Sequence, residues 1–354
     1  MAEYAVAKKR WRRKALLIVL MFALVALLVK LPPPEQNIEI DKQAHGGTPI
    51  QLETPTGTIY GTLLEPEQTP KPMPVVLILA GSGPTDRNGN NLSGLHTNSY
   101  RMLAEALQQN GIASVRFDKR GVGASAAAGV DESELRFEHY VDDAVLWIEL
   151  LSQKSNHPAQ SGTPPKEGNR YSKIIVAGHS EGSLIGMLAC IQSERADAFI
   201  SISGVGRPVG EVLREQMSRQ SRFVREAFLP ILEELEQGNT VEDVPESLPL
   251  FRPSVQPYMI SWLKYDPRLE IKKLTIPILI IQGTTDIQVS VTDAENLLAA
   301  NPNAKKVVIT GMNHTLKSSS TTFTFLQRGT YTNPRYPLHK DLVPSIMQFI
   351  ADLE

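Results

Sequence analysis

Residues 173–194 read KIIVAGHSEGSLIGMLACIQSE. The short apolar run at 174–177, closed by a glycine, has the form of a strand buried on both faces. Residues 183–194 suit a helix. Between the two lies Gly178-His179-Ser180-Glu181-Gly182. A glycine on each side of a serine lets the chain turn so sharply that the hydroxyl is presented at the C-terminal end of the strand. The pattern alone is weak. With Gly at about 7% of residues, it arises by chance in roughly one of ten chains of this length. The preceding strand and following helix make it informative, because that is the context the turn requires. The competing reading is a tight glycine turn with an unreactive Ser180.

The same rhythm continues outward. Residues 75–80 (VVLILA), 113–117, 198–203, 277–282 and 305–309 are further short strands. Helical spacing marks 98–109, 137–151 and 342–353, and residues 37–43 and 57–64 read as a leading hairpin. Strand–helix–strand repetition of this kind predicts an α/β architecture with a mostly parallel central sheet and helices on both faces. Two stretches interrupt it. Residues 152–170 are polar and rich in Pro, Gly and Ser, which reads as a solvated loop carrying an exposed His157. Residues 206–272 hold two or three amphipathic helices, clearest at 211–236, and are expected to form a helical cap insertion over the site. A partner-binding surface is the other reading of that insertion.

A serine hydroxyl is a poor nucleophile until a base takes its proton, and histidine has a suitable pKa. Of the seven histidines, His314 follows a late strand on a loop at the same sheet edge as Ser180; His339 is the reserve candidate, and His179 is expected to pack. Asp286, at the end of PILIIQGTTD (277–286), is the carboxylate expected to hold the imidazole in one tautomer. A turn-forming Asp is its plain alternative. The oxyanion needs two backbone N–H donors: Glu181, directly after the nucleophile, and Ser82, from the Gly81-Ser82-Gly83 loop after residues 75–80. The glycine-rich turn at 118–125 lacks the spacing of a phosphate-binding loop. It reads as a structural turn with Arg120 paired to a carboxylate, and Asp86 and Arg87 as braces for the oxyanion loop.

These residues resemble the α/β-hydrolases of the bacterial carboxylesterase and serine-aminopeptidase-like group. The likeness rests on GSGPTDRNGN at 81–90, DKRGVGAS at 118–125, the Ser180, Asp286, His314 order and the closing Pro337-Leu338-His339. It covers roughly residues 40–354. It implies an α/β-hydrolase fold and hydrolysis of small carboxylic esters through an acyl-enzyme, without metal or organic cofactor. The polar stretch 317–335, directly after His314, departs from the resemblance.

The 354 residues carry a formal charge of -2, unevenly spread. Residues 1–30 hold seven Lys/Arg against one acid, so residues 31–354 stand at -8. An acidic body lacks the basic face that nucleic acid demands. The single cysteine, Cys190, excludes an internal disulfide and a cysteine zinc site. KKRWRRK at 8–14 precedes fifteen apolar residues at 15–29. With Trp11 at one interface and Lys30 snorkelling at the other, residues 11–31 reach the length of a transmembrane signal anchor. The basic flank then keeps the N-terminus cytoplasmic and the catalytic domain extracytoplasmic. A cleaved signal peptide is the alternative. The expected organisation is residues 1–31 as stub and anchor, 32–37 as linker, and 38–354 as the hydrolase domain, with the oligomeric state open. The function expected is a membrane-anchored serine hydrolase acting on a small-molecule ester. Its rivals are an aminopeptidase or acyl-transfer enzyme on the same residues, for which Glu233, Glu234, Glu236, Glu242 and Asp243 offer an acidic cluster, and a silent anchored binding module.

Overall fold

The computed structural model describes residues 46–67, 72–155, 170–218, 220–246 and 248–353. The anchor read at 11–31, the linker and most of the polar loop at 152–170 lie outside the described residues. Among the described residues no helix is long and apolar enough to cross a membrane.

Eight strands form one sheet: β1 (Thr48–Thr54), β2 (Gly57–Leu64), β3 (Met73–Leu79), β4 (Ala113–Phe117), β5 (Tyr171–His179), β6 (Ala198–Ile202), β7 (Ile278–Gly283) and β8 (Lys305–Ile309). Their spatial order is β1-β2-β4-β3-β5-β6-β7-β8. β2 runs against both neighbours, and every pair from β4 to β8 is parallel. The hairpin among the described residues forms from 48–54 with 57–64, whereas the sequence predicts 37–43 as the partner, a segment that lies outside the described residues. The Thr54–Gly57 connection is a tight turn, which local chemistry favours over a longer closure.

Alternation along the buried strands divides the core. Val75, Leu77 and Leu79 point to one face, where they meet Phe137, Trp147 and Ile148 of α2 (Phe137–Ser152), Leu184 and Leu188 of α3 (Glu181–Ser193), and Leu297 of α8 (Val291–Ala300). Val76, Ile78 and Ala80 point to the other, against Tyr100, Leu103 and Leu107 of α1 (Ser99–Gln109) and Ile346 and Phe349 of α10 (Leu342–Ala351). A strand apolar at every position is what a sheet covered on both sides requires.

Between β6 and β7 the chain makes α4 (Val209–Ser218), α5 (Arg222–Glu236), α6 (Gln256–Leu263) and α7 (Pro267–Ile271). The run read as one helix over 211–236 is two. Ser221 caps the second, accepting from the Val224 N–H at 3.4 Å, and the apolar register lapses between Met217 and Val224. Val209, Leu213, Phe228, Leu232, Phe251 and Met259 give α4, α5 and α6 an apolar core of their own.

Behind the sheet edge, Arg120 in the turn after β4 makes a two-pronged pair with Asp143 of α2 (2.9 and 2.5 Å), as expected for a structural turn. Both side chains are buried, 6% and 1% exposed. Removing one member of such a pair leaves an uncompensated buried charge, at a cost of about 3–5 kcal/mol. Arg120→Ala is therefore expected to lower the unfolding free energy by about that amount in urea titrations, whereas a loss below about 1 kcal/mol would mean that water reaches the pair.

Candidate active site

β5 ends and α3 begins at the serine turn. Ser180 has φ 55° and ψ −121°, a conformation that costs a non-glycine residue of order 1–3 kcal/mol. Two glycines allow it. A Cβ on Gly178 would lie 2.1 Å from the Gly182 carbonyl oxygen, and one on Gly182 would lie 2.5 Å from that of Leu79. The flanking glycines of the motif are thus required by contact as well as by torsion. The Ser180 N–H is held by the Ile202 carbonyl at the end of β6 (2.9 Å).

His314 follows β8. Its Nδ1 lies 2.8 Å from Asp286 Oδ2, with the Asp286 side chain fully buried. The other carboxylate oxygen accepts from the N–H groups of Gln288 (2.8 Å) and Val289 (3.0 Å), and Gln282 Nε2 donates to Oδ2 at 3.2 Å. Burial pushes the Asp286 pKa up, but His314 and these donors outweigh it and hold the group below the ordinary carboxylate range. With Nδ1–H given to Asp286, Nε2 of His314 is left for the cleft. His339, the reserve candidate, lies at the start of α10: its N–H goes to the Leu316 carbonyl and its Nδ1 accepts from the Asp341 N–H.

Ser180 and His314 line one small cleft of ≈ 50 Å³, together with Gly81, Ser82, Leu316 and Tyr331. The Ser82 N–H has no acceptor among the described residues. Glu181 is the first residue of α3, where N–H groups lack intrahelical partners. The structure thus brings Ser180, His314, Ser82 and Glu181 to one sheet edge, with Asp286 directly behind His314. The lining comes from residues 81–100, 179–180 and 314–331. Among the described residues, none of it comes from 206–272.

Sequence reasoning missed the work of three side chains. Tyr100 on α1 accepts the Gly81 N–H (3.0 Å) and donates to His179 Nδ1 (2.8 Å), and His179 Nε2–H donates to the His314 carbonyl (2.8 Å). This chain ties the 81–90 loop, α1, the serine turn and the His314 loop together. Burial, with a small contribution from His314, drives the His179 pKa down to about 3, so the ring stays neutral. The third is Glu181. Its buried carboxylate takes Lys119 Nζ at 2.9 Å and the hydroxyl of Tyr258 from α6, and Lys119 also sits 4.6 Å from the Tyr140 ring centre. The insertion therefore reaches the site through Tyr258 and, from α4, through Gln216, whose Nε2 donates to the Gln288 carbonyl beside Asp286 (3.2 Å). No sequence signal distinguishes Tyr100 or Tyr258 from other helical aromatics.

The braces behave as expected. Arg87 gives its N–H and its Nη2 to the two oxygens of Asp118, both at 2.8 Å, and Asp86 Oδ1 accepts from Asn88 and Asn90. Burial raises the Asp86 pKa to about 6. The 317–335 stretch contributes α9 (Thr324–Thr332), whose Gln327 and Thr330 hold Asn313 at 3.3 and 2.7 Å, beside His314.

The pattern of the family described as "Serine aminopeptidase, S33" matches residues 93–270. Esterase EstD of Thermotoga maritima is 28% identical over 267 residues, which cover 73% of this chain and 59% of that protein. The chain thus matches about three fifths of that relative's length. Among solved structures, Est1E of Butyrivibrio proteoclasticus with ferulic acid bound superposes with a TM-score of 0.56 at 17% identity, covering 86% of this chain and 98% of the other. The Pyrococcus furiosus esterase Pf2001 superposes with a TM-score of 0.52 at 13% identity, covering 91% and 98%. At these identities the two structures establish the fold alone.

Between the ordinary histidine value of about 6.5 and about 3, the unfolded chain binds a proton at residue 179 that the folded chain refuses. Its stabilising contribution is complete above pH 6.5 and declines as pH falls, by up to about 1.4 kcal/mol per pH unit. Unfolding titrations between pH 6.5 and 5 are expected to show a shallower slope for His179→Gln than for wild type. Equal slopes would mean that His179 is protonated in the folded protein.

Proposed function

The chain belongs to the serine aminopeptidase family of α/β-hydrolases, and on that premise we propose that it is a serine esterase acting on small carboxylic esters, tethered to a membrane by residues 11–31 with its catalytic body outside the cytoplasm. The observation that carries this reading is the shared cleft of Ser180 and His314, with His314 Nδ1 held by Asp286. Ser180 Oγ attacks the ester carbonyl as His314 Nε2 takes its proton. Asp286 keeps the imidazole in that tautomer and offsets its positive charge. The N–H groups of Ser82 and Glu181 receive the oxyanion. The tetrahedral adduct collapses, His314 returns the proton to the departing alcohol, and an acyl-Ser180 ester remains. Water, deprotonated by the same imidazole, then releases the acid and restores the serine.

Size and charge narrow the substrate. A cleft of ≈ 50 Å³ suits a short acyl chain better than a long one. An aminopeptidase needs a carboxylate beside the cleft for the substrate amine. The acidic cluster read in the insertion is occupied or turned away: Glu236 pairs with Arg214 and Glu234 with Asn239, both on the exposed side of α5. No Asp or Glu is among the cleft-lining residues. The name of EstD supports the ester reading, and the basic flank and apolar run at 8–30 support the tether and its orientation.

The test uses the full chain in detergent with p-nitrophenyl esters from acetate to palmitate and a matching amino-acid anilide panel. Turnover is expected to be greatest at two to four carbons and to fall by 10³-fold or more in Ser180→Ala. Anilide turnover exceeding ester turnover would favour the peptidase. A Ser180→Ala variant as active as wild type would overturn the assignment of the nucleophile.

A further inference from the structure

The helix α9 is built inside out. Its buried residues are polar, Gln327 and Thr330, and both are consumed in holding Asn313, Thr285 and Thr321. Its apolar residues face water: Phe323 at the N-cap is 74% exposed, Phe325 79% and Leu326 66%. Tyr336, packed on Gly329, is 44% exposed. Of the eight large apolar side chains left exposed among the described residues, these are four. A fifth, Leu92 at 80%, tips the loop that joins α9 through the hydrogen bond from the His96 N–H to the Tyr331 carbonyl (2.8 Å). A soluble surface helix normally turns such residues inward. A contiguous exposed patch of this kind marks a docking face.

Charge identifies the occupant. Residues 318–340 hold Arg328, Arg335 and Lys340 and no acid, within a body of net charge -8. All three are exposed, and no carboxylate among the described residues pairs with them. Exposed Phe and Leu, with Arg328 one turn along the helix from Phe325 and two further unpaired cations in the same stretch, are the chemistry of an interfacial segment on an anionic bilayer. The position of the chain agrees. Gly46, the first described residue, lies against Arg101 in the first turn of α1, and Arg116 bonds both its carbonyl and Asn88 Oδ1. Residues 32–45, joining the apolar segment to Gly46, span at most about 50 Å even when fully extended. We infer that Phe323, Phe325, Leu326 and Leu92, with Arg328, Arg335 and Lys340, form a face that docks on an anionic lipid surface and sets the cleft, which Tyr331 of the same helix lines, against the bilayer. The inference rests on the proposed tether for the presence of the bilayer.

The test labels the full chain at Phe325→Cys with an environment-sensitive nitrobenzoxadiazole dye. Cys190 is buried and leaves that thiol as the exposed one. The control is Leu269→Cys on α7, where the side chain is also exposed, 60%. Protein is floated with phosphatidylcholine vesicles with or without phosphatidylglycerol. At 325 the dye is expected to shift to the blue, brighten at least twofold in phosphatidylglycerol vesicles and be quenched by lipid-borne nitroxides. At 269 it does none of these. Charge reversal, Arg328→Glu with Arg335→Glu and Lys340→Glu, removes most of the gain. Floated protein whose dye at 325 behaves like that at 269 overturns the face and leaves the tether standing. Protein that does not float, with its dye unchanged, overturns both. A blue shift without vesicles that grows with protein concentration assigns the face to a second copy of the chain.

Discussion

The backbone at Ser180 is held where a side-chain-bearing residue is strained, and everything chemical at this sheet edge is placed relative to it. Strain of this kind persists only when the surroundings over-determine it. Here they do so from three sides. The contact between Gly178 and Gly182 lets β5 and α3 meet closely enough to form the turn. The residue before the serine is anchored through its imidazole to Tyr100 and the His314 carbonyl. The residue after it is anchored through its carboxylate to Lys119 and Tyr258. The serine is flanked by two buried side chains, each engaged by two partners.

The turn after β4 supplies much of that rigidity. Its three consecutive residues each hold a partner from a different element. Asp118 takes Arg87 of the 81–90 loop, Lys119 takes Glu181 of α3, and Arg120 takes Asp143 of α2. All six side chains are almost wholly buried. Buried pairs contribute little net stability against apolar replacements, but an unpaired member is costly, so they discriminate strongly among alternative packings. Three successive pairs fix the 81–90 loop, α3 and its neighbour α2 in one mutual arrangement.

The His314 loop is fixed differently. Asn313 is tied to Gln327 and Thr330, and buried Lys317 gives its ammonium to the carbonyls of Thr97 and Tyr336. Burial without a carboxylate partner lowers the Lys317 pKa to about 8. The polar interior of α9 holds Asn313, the neighbour of His314, and the same orientation leaves the helix's apolar side outward. The insertion of α4 to α7 has an apolar core of its own, but it also stacks Trp262 on Phe137 of α2, buries Ile271 in the main core, and meets the site through Tyr258 and Gln216.

By itself the sequence determined the alternation of strands and helices, the parallel sheet, the serine turn and the chain order of Ser180, Asp286 and His314. Those readings rest on patterns that are local or periodic: apolar runs too short for helices, glycines at fixed offsets, a carboxylate and an imidazole each just past a strand. The structure brought all three residues to one edge because parallel strands end together. Only the tertiary structure decided the leading hairpin's register, the split of the 211–236 run, and the roles of Tyr100, His179, Lys119 and Tyr258. Each of those depends on which groups meet across long stretches of chain; Tyr100 and His179 are 79 residues apart, and His179 and His314 are 135. The inverted face of α9 was equally invisible. In sequence, 317–335 reads as a polar stretch, and which of its residues a helix there would bury depends on Asn313, whose amide takes Gln327 and Thr330.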